Sequence, residues 1–225
     1  LVSPFIYPRV SVIDPSAQAS LPESQTVNGG VDIMAHIMER LFDGAENVEL
    51  IDEQGYAVIR CVMELISELR ENPDNYGARS QYAWAASLGH NGSFSCGRGE
   101  RGDFSSHKLG HSLSLLFDVP HGASLSIMMP AWARYLYREN PRPFARFTAA
   151  VFGIDGDDGE DTALEGIEQL EAFFRSIGAP TSLREAGVPE EGVARLAENA
   201  ARFAPFGVLK GLSAEDILEI YKLAW

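Results

Sequence analysis

Four of the five histidines in this chain, together with one aspartate, fall into a pattern that can hold a metal ion. Asp32 and His36 stand four residues apart. His107 and His111 repeat that spacing with two imidazoles, and His121 follows ten residues later. A helix rises about 1.5 Å per residue, so groups at i and i+4 lie one turn apart on one face. Two such helices facing each other would bring carboxylate oxygen and imidazole nitrogen to one point. That donor set suits zinc or ferrous iron. Such ligands must be deprotonated and preorganised, which helices achieve better than loops.

Each of these residues also has an ordinary reading. A lone histidine is usually a plain surface or core residue. His90, between Leu88-Gly89 and Asn91-Gly92, has no partner at helical spacing and is read as structural. Asp32 and His36 say more, because Met34, Ile37 and Met38 surround them and an unpartnered carboxylate there would be costly to bury. A hydrogen bond between the two side chains explains the pair as well as a metal does. His107 and His111 resemble half of an H-E-x-x-H helix, but Lys108 stands where the glutamate base would be, which argues against a metalloprotease. Spacing leaves open whether His111 binds metal or stands beside it. Gly97-Arg98-Gly99-Glu100-Arg101-Gly102 matches G-x-G-x-x-G, yet a helix rather than a strand is expected before it. It is read as a flexible loop leading into the His107 helix.

The elements that must position these groups read as helices. The apolar period predicts Val31 to Phe42, Glu53 to Arg70, Tyr76 to Gly89, Phe104 to Phe117 and Ala123 to Glu139. Further helices are expected at Arg142 to Phe152, Asp161 to Ile177, Glu190 to Phe203 and Ala214 to Leu223, the last opened by a capping-box pair, Ser213 and Asp216. The stretch before Val31, ending in Asn28-Gly29-Gly30, reads as a loop, and the acidic run Asp155 to Asp161 as a solvated one. Val10 to Ile13 reads as a short strand closed by the Asp14-Pro15 turn. The opening Leu1 to Pro15 reads like the middle of a protein, so a domain or fragment is expected.

With 225 residues, 45% of them hydrophobic and 22% charged, the chain can bury a sizeable core. A net charge of −14 argues against nucleic-acid binding, which needs Lys and Arg in excess. No apolar run approaches the roughly 18–20 residues needed to cross a bilayer, so no membrane partner is expected. The two cysteines, Cys61 and Cys96, form no CxxC pair, which makes a thiolate zinc site and a disulfide framework poor readings and fits a reducing cytoplasm.

In order, the motifs resemble those of the iron-containing (group III) alcohol dehydrogenases. Four segments carry the resemblance: Val12-Ile13-Asp14-Pro15 with Leu21-Pro22; Gly30-Val31-Asp32 through His36 to Glu39; His107 to Leu113; and Val119-Pro120-His121-Gly122 running into Ile127-Met128-Met129-Pro130. Asn72 to Tyr76, Trp84-Ala85 and Asn91-Gly92 are similar to the branch often called NADP-dependent butanol dehydrogenases. The resemblance implies a mainly α, dehydroquinate-synthase-like helical domain with a short N-terminal strand. It implies metal ligands Asp32, His36, His107 and His121 around Fe2+ or Zn2+. His111 is implied beside the metal as a catalytic residue that handles protons and positions substrate or nicotinamide. The activity implied is interconversion of a small alcohol and an aldehyde with NAD(P). Glycerol dehydrogenases and dehydroquinate synthases share the architecture but use a different ligand pattern.

The family's nucleotide-binding domain carries a Gly-Gly-Gly-Ser segment that is not found here. The expectation is therefore that residues 1–225 form the C-terminal metal-binding domain, that the chain by itself turns over nothing, and that the protein is a homo-oligomer. The alternative from another class is a helical binding or interaction module with a structural metal, or none.

Overall fold

The computed structural model describes residues 4–6, 8–99 and 102–225. Among these residues it contains nine α-helices and no sheet. They are α1 (Glu23–Leu41), α2 (Glu49–Glu71), α3 (Tyr76–His90), α4 (Ser105–Phe117), α5 (His121–Leu136), α6 (Arg142–Phe147), α7 (Glu160–Ser176), α8 (Gly192–Ala201) and α9 (Ala214–Ala224). The mainly α reading holds. The strand does not: residues 10–13 are irregular, with Val10 and Val12 exposed and no neighbouring strand to complete a ladder. Asp14 instead caps a 3-10 turn, accepting from the Ser16 amide.

α1 begins two turns earlier than its apolar period suggests and runs straight through Asn28-Gly29-Gly30. Each interior glycine costs a helix roughly 1 kcal/mol relative to alanine. Both lie against side chains of neighbouring helices. A Cβ at Gly30 would come within 2.4 Å of Ile66 on α2, and one at Gly29 within 2.9 Å of the Tyr82 hydroxyl on α3. The region read as one helix from Arg142 to Phe152 is α6 followed by a π turn at Thr148–Phe152. The other helices match their expected spans to within a turn, and Ser213 and Asp216 form the expected capping box. The acidic segment before α7 is an exposed loop.

One continuous apolar core joins the helices. α5 lies at its centre and packs on α1, α4, α7 and α9. From Gly122 to Ala133 it is buried on every side, the signature of a core helix rather than a surface one. Trp132, Phe42 and Phe144 stack beside it, with ring centroids 4.4–6.4 Å apart. α1 is nearly as enclosed: Val31, Ile33, Met34, Ala35, Ile37 and Met38 are buried, and only Asp32 and His36 on this stretch reach toward solvent.

No helix among the described residues is long and apolar enough to cross a membrane. Cys61 and Cys96 are free thiols.

Candidate metal centre

Helices α1, α4 and α5 bring imidazoles to Asp32 Oδ1. The i,i+4 spacing on α1 places His36 Nδ1 3.2 Å from Asp32 Oδ1. From α4, His107 Nε2 comes within 3.8 Å of the same oxygen, and from the first turn of α5, His121 Nε2 comes within 3.3 Å. His107 Nε2 is also 3.1 Å from His36 Nδ1. Bonds of roughly 2.0–2.2 Å to one tetrahedral ion put its ligand atoms about 3.3–3.6 Å apart, which these separations bracket. Asp32 Oδ1 is itself buried and receives no hydrogen bond. An ionised oxygen in that state calls for a cation. The four residues singled out from the sequence thus meet at one place, with a donor set that fits zinc or ferrous iron.

Two local devices bring the helices this close. Gly122 abuts α1 so tightly that a Cβ would lie 2.0 Å from the Asn28 carbonyl oxygen. Gly110 on α4 leaves room for Ser124 of α5. Ahead of α4, Phe104 holds a left-handed backbone at φ 55°, an uncommon state for a bulky residue, and its ring lies 5.2 Å from that of His107 and 5.7 Å from that of His36. The Arg40 guanidinium sits over the same ring, 5.0 Å from its centre.

Glu39 organises the α1–α4 contact and escaped the spacing analysis. It is fully buried. Its Oε1 accepts from the Ser106 hydroxyl, from the His107 amide at 3.2 Å and from His107 Nδ1 at 3.1 Å. Because Nδ1–H is engaged there, the neutral ring carries its lone pair on Nε2, toward Asp32, an orientation typical of metal-binding imidazoles. A sequence signal existed: Glu39 is seven residues after Asp32 and three after His36, hence on the same helix face. Behind it, the Asp103 amide donates to the Glu39 carbonyl, and the Asp103 carboxylate accepts from the amides of Val208 and Leu209. The segment after α8 is thereby tied to the site.

The electrostatics follow from this crowding. Burial opposes ionisation of Asp32, but the imidazoles of His107, His121, His36 and His90 together hold its carboxyl far below the usual range. Burial also disfavours charge on His107, yet Asp32 and Glu39 outweigh it and raise that imidazole to about 9. His36 is pushed down, chiefly by burial. His111 lies one turn beyond His107, its ring 5.5 Å from that of His121, and it too is pushed down, by burial and then by the charges of His121 and His107. It faces a half-open, mostly apolar groove of about 480 Å³ lined by Lys108, Ser112, Leu115, Asn199 and Phe203.

Two expectations need correction. His90 is not an isolated structural residue: the end of α3 brings its Nε2 to 3.1 Å from Asp32 Oδ2 and its ring to 4.1 Å from that of His36. At the described start of the glycine-rich segment, Arg98 is anchored rather than loose. The Arg98 side chain is almost wholly buried and paired with Asp43 at 2.6 Å and with Asp52, so it points inward and not toward a phosphate. Glu100 and Arg101 lie outside the described residues.

An all-helical domain with a carboxylate and several imidazoles gathered between its helices defines a class of metal-site protein. Residues 26–225 match the model of the Fe-containing alcohol dehydrogenase family, C-terminal region, and the chain belongs to that family. It is similar to probable NADH-dependent butanol dehydrogenase 1 of Bacillus subtilis, 33% identical over 98% of this chain and 57% of that protein. It is likewise similar to probable NADH-dependent butanol dehydrogenase 2 of the same organism, 36% identical over 96% of this chain and 56% of that one. The crystal structure of NADH-dependent butanol dehydrogenase A from Thermotoga maritima superimposes with a TM-score of 0.94 at 42% identity, covering 99% of this chain and 57% of that one. The chain therefore spans little more than half the length of these relatives.

Proposed function

We propose that this chain is the metal-binding part of an oxidoreductase that interconverts a small alcohol and its aldehyde. The observation that carries the reading is Asp32 Oδ1, buried without a hydrogen bond and faced by the imidazoles of His36, His107 and His121. Those four side chains would hold Fe2+ or Zn2+. The ion would supply Lewis acidity to the substrate's alcohol or carbonyl oxygen. Hydride exchange belongs to a nicotinamide nucleotide, NADH or NADPH.

The chain's own residues divide the remaining work. Glu39 keeps His107 in the tautomer that offers Nε2. His111, whose proton affinity is depressed by partial desolvation and by His121 and His107, takes or returns the alcohol proton. The apolar lining beside it, Leu115 and Phe203, is largely exposed and offers a surface that suits a short alkyl chain. The butanol dehydrogenases among its relatives agree with a substrate of that size. Arg98 of the glycine-rich segment is committed to Asp43 and Asp52, so the reading gives nucleotide binding to the part of the relatives' length that this chain does not span.

The test is metal analysis on the full chain after reconstitution with Zn2+ or Fe2+, alongside butyraldehyde reduction by NADH and NADPH with the chain alone and with the whole protein. Bound metal in the chain and turnover only in the whole protein is the expected outcome. His111→Ala should keep the metal and lose turnover. A reconstituted chain that binds no ion sinks the reading, and robust turnover by the chain alone sinks the assignment of nucleotide binding elsewhere. A purely structural ion is the second reading. It fits poorly with His121, whose side chain is 38% exposed, because a closed structural site would shield its ligands.

A further inference from the structure

His90 plays no part in the four-residue site, yet its surroundings match those of the residues that do. Its Nδ1 is 2.7 Å from the Ala86 carbonyl oxygen. A carbonyl only accepts, so Nδ1 carries the proton. In the neutral ring, Nε2 then presents a lone pair to Asp32 Oδ2 at 3.1 Å, and an ionised carboxylate oxygen likewise only accepts. Either a second proton on the ring or a cation must sit at that contact, and a metal ion binds there by displacing such a proton. His107 has the same arrangement, with Nδ1 engaged by Glu39. An imidazole whose other N–H is held by a carbonyl or carboxylate is oriented for a metal.

The cluster divides into two triads that share Asp32. One ligand atom from each of Asp32, His107 and His121 lies within 4.8 Å of the others, and the same is true of Asp32, His36 and His90. The two carboxylate oxygens face different sides: Oδ1 toward His107, His121 and His36, Oδ2 toward His90, with the His36 ring 4.1 Å from that of His90 and so between the two triads. A carboxylate used in this way bridges two ions roughly 3.5–4 Å apart.

We propose that His90 is a metal ligand and that, with Asp32 Oδ2 and His36, it forms a second position for a divalent cation of the zinc type. This rests on the metal reading of the first position. With one ion bound, His36 serves the first position. With two, His36 serves the second, and Asp32 Oδ1, His107 and His121 hold the first with a coordination place left open. The second position binds more weakly, because its histidine lies at the exposed end of α3 and the shared carboxylate's charge is already partly neutralised.

The test is a Zn2+ titration of the full chain against a competing chelator, with a crystal of the Zn2+-saturated protein measured at the zinc edge. Two binding steps are expected, the second about tenfold weaker or more, with anomalous density within about 2.3 Å of His90 Nε2. His90→Gln should abolish the weaker step and leave the tighter one, with an unchanged helical circular dichroism spectrum to report folding. A single step in the unaltered chain, two steps retained in His90→Gln, or no anomalous density beside His90 overturns the proposal. No binding in the unaltered chain defeats the underlying metal reading instead, and His107→Ala tells the two apart: it should lose the tighter step whether or not His90 is a ligand.

Discussion

At the scale of single residues, Glu39 holds the centre together. Its buried Oε1 meets three donors from the first turn of α4, while Oε2 is buried with none. Removing its charge while keeping its shape would leave His107 free to change tautomer and rotate. Partners of this kind are worth about 10–100-fold in metal affinity. Glu39→Gln is therefore expected to weaken Zn2+ binding by about that factor in a chelator competition, while the protein stays folded. An affinity equal to that of the unaltered chain would show that His107 is positioned by packing alone. Glu39 lay within the analysed helix but was not singled out, because a glutamate at i+7 looks the same whether it faces solvent or a neighbouring helix. His90 lies 58 residues from Asp32 and carries no local signal at all.

At the scale of elements, the site depends on how closely helices approach. Asp32 sits on α1 and His121 at the start of α5, and Gly122 is what lets these two helices touch. Gly122→Ala would force α5 away from the Asn28 backbone, which cannot yield as a flexible side chain would. Overpacking of this kind costs about 1–3 kcal/mol. The expected result is a lower melting temperature together with weaker metal binding, read by calorimetry and by Zn2+ titration of the same sample. Loss of stability with undiminished affinity would mean that His121 follows α1 independently of the Gly122 contact. The same physics explains the unexpected length of α1. Gly29 and Gly30 suggest a loop when helix propensity alone is considered, but α2 and α3 press against them and the helix continues. Residues 10–13 are the converse case, since their alternation suits a strand and no described strand is present to pair with them.

At the scale of the whole molecule, Arg98 ties three parts of the chain together. It pairs with Asp43 beyond the end of α1, with Asp52 on α2, and with the Phe94 carbonyl near its own turn. Burial pushes both carboxyls up, and the guanidinium opposes that shift. Arg98→Ala would leave two carboxylates buried without their cation, a change of about 3–5 kcal/mol for pairs of this type. Urea unfolding should show a loss of that size, and one below about 1 kcal/mol would mean that water reaches the two aspartates freely. Arg98, in the segment that resembles a nucleotide loop, is on this view a structural clamp between the end of α1, α2 and its own turn.

Helix periodicity, the Asp32–His36 spacing, the His107–His111 pair and the ordered motifs could all be read along the chain, because they depend on the regular repeat of a helix and on donor chemistry. Periodicity locates an apolar face without saying what covers it. Which imidazoles share one carboxylate, that Glu39 faces inward, that Arg98 turns away from solvent and that His90 arrives beside Asp32 all depend on contacts between helices distant along the chain. Those contacts come from close packing of side-chain shapes and from the need to satisfy buried charges, and neither leaves a periodic trace in the order of residues.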